Sequence, residues 1–133
     1  MSKSLNNHIE LAATPKETQK RVMQMVTDPQ RLRRDDPGNP DVCNVYTMHK
    51  IFSEAEEIEM INVECRRAGI GCVDCKKIFT RNLNSALAPF REKRAELEAN
   101  PERVWGILQD GADRARIIAK ETIHEVKEAI GLP

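Results

Sequence analysis

The stretch from Cys43 to Cys75, CNVYTMHKIFSEAEEIEMINVECRRAGIGCVDC, holds all four cysteines of the 133-residue chain. Its spacing is C-x21-C-x6-C-x2-C, closing on Cys72-Val73-Asp74-Cys75. No secretion signal is visible, so the thiols are expected to stay reduced. Thiols grouped in this way more often hold a metal or an iron–sulfur cluster than cross-link a fold. Cys43, Cys65, Cys72 and Cys75 are therefore candidate ligands.

The stretch also sets the fold class. Val45, Met48, His49 and Phe52 recur at helical spacing, as do Ile58, Ile61, Cys65 and Ala68, and then Cys72, Cys75, Phe79, Leu83 and Leu87. Asp41 is placed as the cap of the first of these helices, with Cys43 in its first turn. Ser53-Glu54-Ala55-Glu56 reads as a capping box for the second, and Gly69 as its stop. His49 reads as a packed, hydrogen-bonded histidine.

Outside the stretch, Thr14-Pro15-Lys16-Glu17 opens a helix with a capping box and proline in the first turn. It runs to about Thr27-Asp28-Pro29. The following PQRLRRDDPGNP segment, residues 29–40, is a loop carrying Arg31, Arg33 and Arg34. Pro89 is expected to kink or break the helix after Cys75. Asn100-Pro101 starts another helix in which Trp105 reads as a packing anchor, and the chain should bend near Asp110-Gly111. A last helix, burying Ala115, Ala119, Ile123, Val126 and Ile130, closes the chain. No segment is rich in strand-forming residues, and the predicted fold is an all-α bundle of five or six helices.

Composition agrees. Only five residues are aromatic (Tyr46, Phe52, Phe79, Phe90, Trp105) while 32% are charged, which suits amphipathic helices. No apolar run approaches membrane-spanning length. Basic and acidic residues number 21 each, which argues against a non-specific nucleic-acid coat. A local basic surface is compatible with that neutrality: Lys50, Arg66, Arg67, Lys76, Lys77 and Arg81 all lie near the cysteines in sequence. A four-thiolate cluster is anionic, so part of this charge would neutralise it and the rest would attract phosphate.

For the thiols, zinc and a [4Fe–4S] cluster both satisfy a four-cysteine set. Zinc sites often show two close pairs, whereas here one pair is joined by two single cysteines, a spread more like iron–sulfur ligation. Either would staple helices together.

Met1-Ser2-Lys3-Ser4 resembles the K-M-S-K-S signature of class I aminoacyl-tRNA synthetases, lacking its first lysine. Asn7-His8-Ile9-Glu10-Leu11, Thr27-Asp28, Pro37-Gly38-Asn39-Pro40, Gly111-Ala112 and Ala129-Ile130-Gly131-Leu132 follow in the order and spacing of bacterial tryptophanyl-tRNA synthetases. The cysteine pattern resembles the subset of that family with a [4Fe–4S] cluster in the C-terminal helical domain.

The resemblance implies that residues 1–13 are the remnant of the catalytic domain's signature loop and a linker, and that 14–133 form a helical tRNA-binding domain. It implies a parent enzyme that activates tryptophan with ATP and magnesium and charges tryptophan tRNA in the cytoplasm, as a homodimer. The nucleotide-binding domain, which would contact ATP and tryptophan, is absent here, so this segment alone is expected to be inactive. Lys3 matches the second signature lysine, a cation for the pyrophosphate side of the transition state, and Ser2 and Ser4 match the loop's hydroxyl positions. Arg66, Arg67, Lys76, Lys77 and Arg81 are candidate tRNA contacts, chosen by local charge. The competing reading is an autonomous iron–sulfur or zinc-stapled helical binding module.

Overall fold

The structure, a computed structural model, describes residues 4–5 and 7–133. Met1, Ser2 and Lys3, which carry most of the signature match, lie outside the described residues. Among the described residues the fold is all-α without strands: α1 Pro15–Gln24, a 3-10 turn Pro40–Val42, α2 Asn44–Phe52, α3 Ala55–Arg66, α4 Cys72–Ala99 and α5 Pro101–Ala129. The chain divides into two compact units, Met1–Arg91 and Glu92–Pro133.

In the first unit α1 starts as its sequence dictates. The Thr14 hydroxyl accepts the Glu17 amide at 3.3 Å, and the Glu17 carboxylate accepts the Thr14 amide at 2.8 Å. This reciprocal pair satisfies two amides that the first turn leaves without partners. Val22 from α1, Val45 and Tyr46 from α2, Ile61 from α3, and Phe79, Leu83 and Leu87 from α4 form the core. Phe79 is fully buried, with the His49 ring edge-on at 5.3 Å. The Arg91 guanidinium ties the α4 end of this unit to α1 by donating to Thr18 Oγ1 at 2.8 Å.

Several local details depart from the sequence expectations. Asn39, not Asp41, caps the 3-10 turn through its side chain, and Cys43 is the N-cap of α2 rather than part of its first turn. Ser53 makes no capping box, because its hydroxyl is taken by His49 Nδ1 at 2.7 Å and by the Asn82 amide at 2.8 Å. The left-handed residue that ends α3 is Ala68, at φ 61°, rather than Gly69. Gly69 instead donates its amide to the Glu64 carbonyl at 2.7 Å while the Ala68 amide reaches Cys65, the paired bonds of a Schellman stop.

Pro89 does not interrupt α4. It removes the amide that would reach the Ser85 carbonyl, but both residues are exposed or partly so and water can take that acceptor. In the second unit α5 runs through Gly111 without interruption. Asp110 with Arg114 and Asp113 with Arg116 pair at helical spacing across it and offset the helical cost of glycine, about 1 kcal/mol. Trp105 is 71% exposed and packs as no anchor. Ile107, Ile117, Ile118, Ile123 and Val126 are exposed as well, so the buried stripe expected on the last helix does not form within this unit.

Two substitutions probe these features. Ala68→Gly should raise the urea midpoint, by about 1 kcal/mol in stability, since glycine adopts a positive φ without the Cβ penalty. Phe79→Ala should lose about 3–5 kcal/mol in the same experiment, the usual cost of emptying a buried aromatic site.

Candidate metal centre and basic surface

Asp28 builds the loop that closes over the cysteines. It is buried, and its two carboxylate oxygens accept the Gln30 and Asn39 amides, each at 2.8 Å. A carboxylate bonded at both ends of residues 30–39 holds that segment closed. The closed loop lays Gly38 against the end of α3, where its amide donates to the Cys65 carbonyl at 2.9 Å. A Cβ on Gly38 would stand 2.6 Å from Cys65 Sγ, so only glycine lets the backbone come so near the thiol.

The four cysteines come from three helices or their ends. Cys43 caps α2, Cys65 lies next to last in α3, Cys72 opens α4, and Cys75 follows one turn later. All four are free thiols. Burial first, and then the proximity of Cys43, Cys65 and Cys72, push the Cys75 thiol up to about 12. Burial likewise raises Cys65, against the opposing pull of Arg31. The four residues of the sequence motif thus lie close enough to feel one another's charge. Cys43 and Cys75 are brought near one another although 31 residues lie between them.

The set has further polar neighbours. His49 Nε2 lies 3.3 Å from the Cys75 carbonyl and 3.5 Å from Cys75 Sγ. Burial holds His49 below its usual value, so the packed histidine read from the sequence is what the structure contains. The Arg31 guanidinium donates to the Arg34 carbonyl at 2.6 Å and the Ile70 carbonyl at 2.9 Å, with Nη1 3.8 Å from Cys65 Sγ. Arg31 Nε is buried without an acceptor. The sequence places Arg31 in a loop without a partner and gives Gly38 no role in the site; only the Pro- and Gly-rich composition of residues 29–40 marks the segment.

What this donor set can hold is restricted. Among the described residues, no group of three or more His, Cys, Asp or Glu side chains could hold a metal ion. A polynuclear cluster places its thiolates further apart, around a larger body. Four thiols near one another are the donor chemistry of such a cluster, and Arg31, whose Nη1 lies 3.8 Å from Cys65 Sγ, has a buried Nε without an acceptor.

The cations near the cysteines are mostly engaged. Arg66 pairs with Asp41 at 2.7 Å, Arg67 with Glu64, Lys77 with Asp74 at 3.0 Å and Arg81 with Glu57. All four have well-exposed side chains. Lys76 is buried and donates to the Met23 carbonyl at 2.9 Å, so it fastens α4 to the end of α1. Lys50 sits over the Tyr46 ring at 4.9 Å. Arg33 is exposed, and among the described residues its guanidinium has no carboxylate partner.

Near the start of the chain, Ser4 occupies an exposed turn, Ile9 packs on the core, and His8 is half-buried. A cleft of about 500 Å³ lies there, lined among others by His8, Arg21, Met25 and Met48. No helix among the described residues is long and apolar enough to cross a membrane.

Comparison with known proteins gives a consistent result. Residues 1–88 match the model of the family described as tRNA synthetases class I (W and Y). The chain is 40% identical over 134 residues to the tryptophan–tRNA ligase of Aquifex aeolicus, covering all of this chain and 34% of that protein. It is 40% identical over 133 residues to that of Thermotoga maritima, covering 99% of this chain and 40% of the other. A crystal structure of the Campylobacter jejuni tryptophanyl-tRNA synthetase, complexed with ADP and tryptophan, superposes with a TM-score of 0.89 at 30% identity, covering 99% of this chain and 41% of that one. The chain therefore spans between a third and about two-fifths of the length of these relatives.

Gly38→Ala should destabilise the protein by about 1–3 kcal/mol, the usual range for overpacking. Gly71→Ala is the control, because a Cβ there would meet its nearest neighbours at an ordinary 3.6 Å. Equal denaturation midpoints for the two variants would show that the close approach to Cys65 demands no glycine.

Proposed function

Because the chain belongs to the class I tRNA synthetases of the tryptophan and tyrosine group, we propose that it is the tRNA-binding part of a tryptophan–tRNA ligase. The parent enzyme would activate tryptophan with ATP and magnesium and transfer it to tryptophan tRNA. The observation that carries this reading is the family match over residues 1–88, with collinear similarity to tryptophan–tRNA ligases over essentially the whole chain. In this reading residues 1–13 continue the catalytic domain's signature loop and 14–133 serve tRNA binding. Lys3 supplies the loop's cation toward the pyrophosphate, with Ser2 and Ser4 beside it. Alone, this segment is inactive.

The exposed cations Arg66, Arg67, Lys77 and Arg81 contact the tRNA. Their present partners do not prevent this: an exposed ion pair is worth only about 0–1 kcal/mol, so a phosphate can replace the carboxylate. Lys76, buried and bonded to the Met23 carbonyl, supports the fold beneath them and leaves this set of tRNA-binding residues. Readout of unpaired bases requires stacking and edge hydrogen bonds in addition to phosphate contacts. The exposed apolar residues of α5 fit the same placement, since such a face is ordinarily covered by another protein surface. The enzyme is cytoplasmic, in keeping with four unpaired thiols, and dimerises through parts outside this segment.

Cys43, Cys65, Cys72 and Cys75 hold a [4Fe–4S] cluster whose role is structural. When bound, the cluster supplies a covalent tie among α2, α3 and α4. The chain's own residues fix its surroundings: Asp28 closes the loop, Gly38 leaves room at Cys65, and His49 orients the backbone at Cys75. Support for the cluster comes from four mutually crowding free thiols and the unsatisfied Arg31 Nε beside them.

Two experiments separate these statements. Protein prepared anaerobically should contain iron and sulfide, and Cys72→Ser should lose both together with part of its thermal stability. Zinc alone, or full iron content in the variant, would sink the assignment. In a full-length enzyme carrying this segment, replacing Arg66, Arg67 and Arg81 with alanine should weaken binding of tryptophan tRNA. Its logarithmic salt slope should fall by about 0.7 for each phosphate that the variant no longer neutralises; an unchanged slope would exclude these residues.

A further inference from the structure

Arg31 stands apart from the other cations near the thiols. It lies in the loop after α1, remote in sequence from every cysteine except Cys43, and it forms no ion pair with a carboxylate among the described residues. Its guanidinium is instead locked by main-chain acceptors on two sides, Arg34 in its own loop and Ile70 in the turn between α3 and α4. The turn residue lies between Cys65 and Cys72, so one side chain spans both the loop and the cysteine-bearing turn. The remaining end, Nη1, faces Cys65 Sγ at 3.8 Å, and Nε is a buried N–H with nothing to accept it.

A buried donor without a partner costs about 1–3 kcal/mol, so its retention needs an explanation. A protonated thiol is a weak acceptor, whereas the sulfur of a thiolate bound in an anionic cluster is a strong one. Arg31 Nη1 is held 3.8 Å from the Cys65 sulfur that would become such an acceptor. Gly38, against which the Arg31 side chain also rests, keeps that position open.

From this geometry we infer that Arg31 is a positioning residue of the four-cysteine site, placing a permanent cation and N–H donors against the sulfur of Cys65. The inference rests on the cluster reading above and adds to it a residue outside the cysteine motif. Net charge and hydrogen bonds to sulfur are the terms by which a protein sets an iron–sulfur potential. A fixed cation beside the site favours the reduced form, which carries one more negative charge. Arg31 therefore raises the reduction potential of the loaded protein.

The test is spectroelectrochemical titration of the anaerobically loaded chain as Arg31→Gln, Arg31→Lys and Arg33→Gln, with iron and sulfide content and far-UV dichroism of each. Arg31→Gln is expected to keep its helicity and iron while its midpoint potential becomes more negative, with Arg31→Lys between it and the unsubstituted protein. Arg33→Gln removes the same charge two residues away, touches no cysteine, and is expected to leave the potential unmoved. An unmoved potential in iron-loaded Arg31→Gln, or an equal fall in Arg33→Gln, overturns the inference alone. If Arg31→Gln loses helicity, Arg31→Lys decides: lysine keeps the charge but cannot serve Arg34, Ile70 and Cys65 together, so an unmoved potential there overturns the inference as well. Absence of iron from the unsubstituted protein overturns the cluster reading, and this inference with it.

Discussion

Four thiols gathered in one partly buried place constrain everything around them. Burial first, and then Cys43, Cys65 and Cys72, make ionisation of Cys75 costly and push its thiol up to about 12. Left alone, Cys75 is comfortable only as a protonated thiol. As ligands the same residues need positive charge close by and a scaffold that resists their mutual repulsion. The scaffold is supplied by helix ends: the N-cap of α2, the last turn of α3 and the first turn of α4.

The loop of residues 28–39 completes that scaffold through main-chain chemistry. Asp28 satisfies amides at both ends of the loop, and Gly38 passes its own amide to the Cys65 carbonyl. That carbonyl also receives the Ala68 amide, so the end of α3, the loop and the left-handed stop meet at one acceptor. The strain at Ala68 and the glycine requirement at Gly38 lie on either side of Cys65. Both follow from bringing two backbone segments within hydrogen-bond distance of a thiol-bearing turn.

The surroundings of the site separate two kinds of cation. Arg66, Arg67, Lys77 and Arg81 are exposed and paired through weak, exchangeable contacts, which suits transient phosphate binding. Arg31 and Lys76 are held by backbone carbonyls and belong to the architecture. Sequence proximity to the cysteines does not distinguish these classes, because it counts charges without their acceptors. Lys76 is buried while its neighbour Lys77 is exposed, since helical periodicity turns Lys76 toward the end of α1.

The amino-acid sequence by itself determined the helical class, the start of α1, the stripe from Cys72 through Phe79 to Leu87, and the membership of the four-cysteine set. These are local matters of period, capping and residue type, which neighbouring residues specify. The family resemblance was likewise legible, because it rests on the order of short motifs. What only the tertiary structure decided were the partners of groups distant in the chain. Ser53 was lost to His49 as a cap, Trp105 and the apolar residues of α5 met no surface within their own unit, and Arg31 was drawn from its loop to Cys65. Propensity describes what a residue can do in its own turn. Which acceptor or apolar surface it finally meets depends on chain closure, and here closure passes through Asp28, Gly38 and the turn at Ile70.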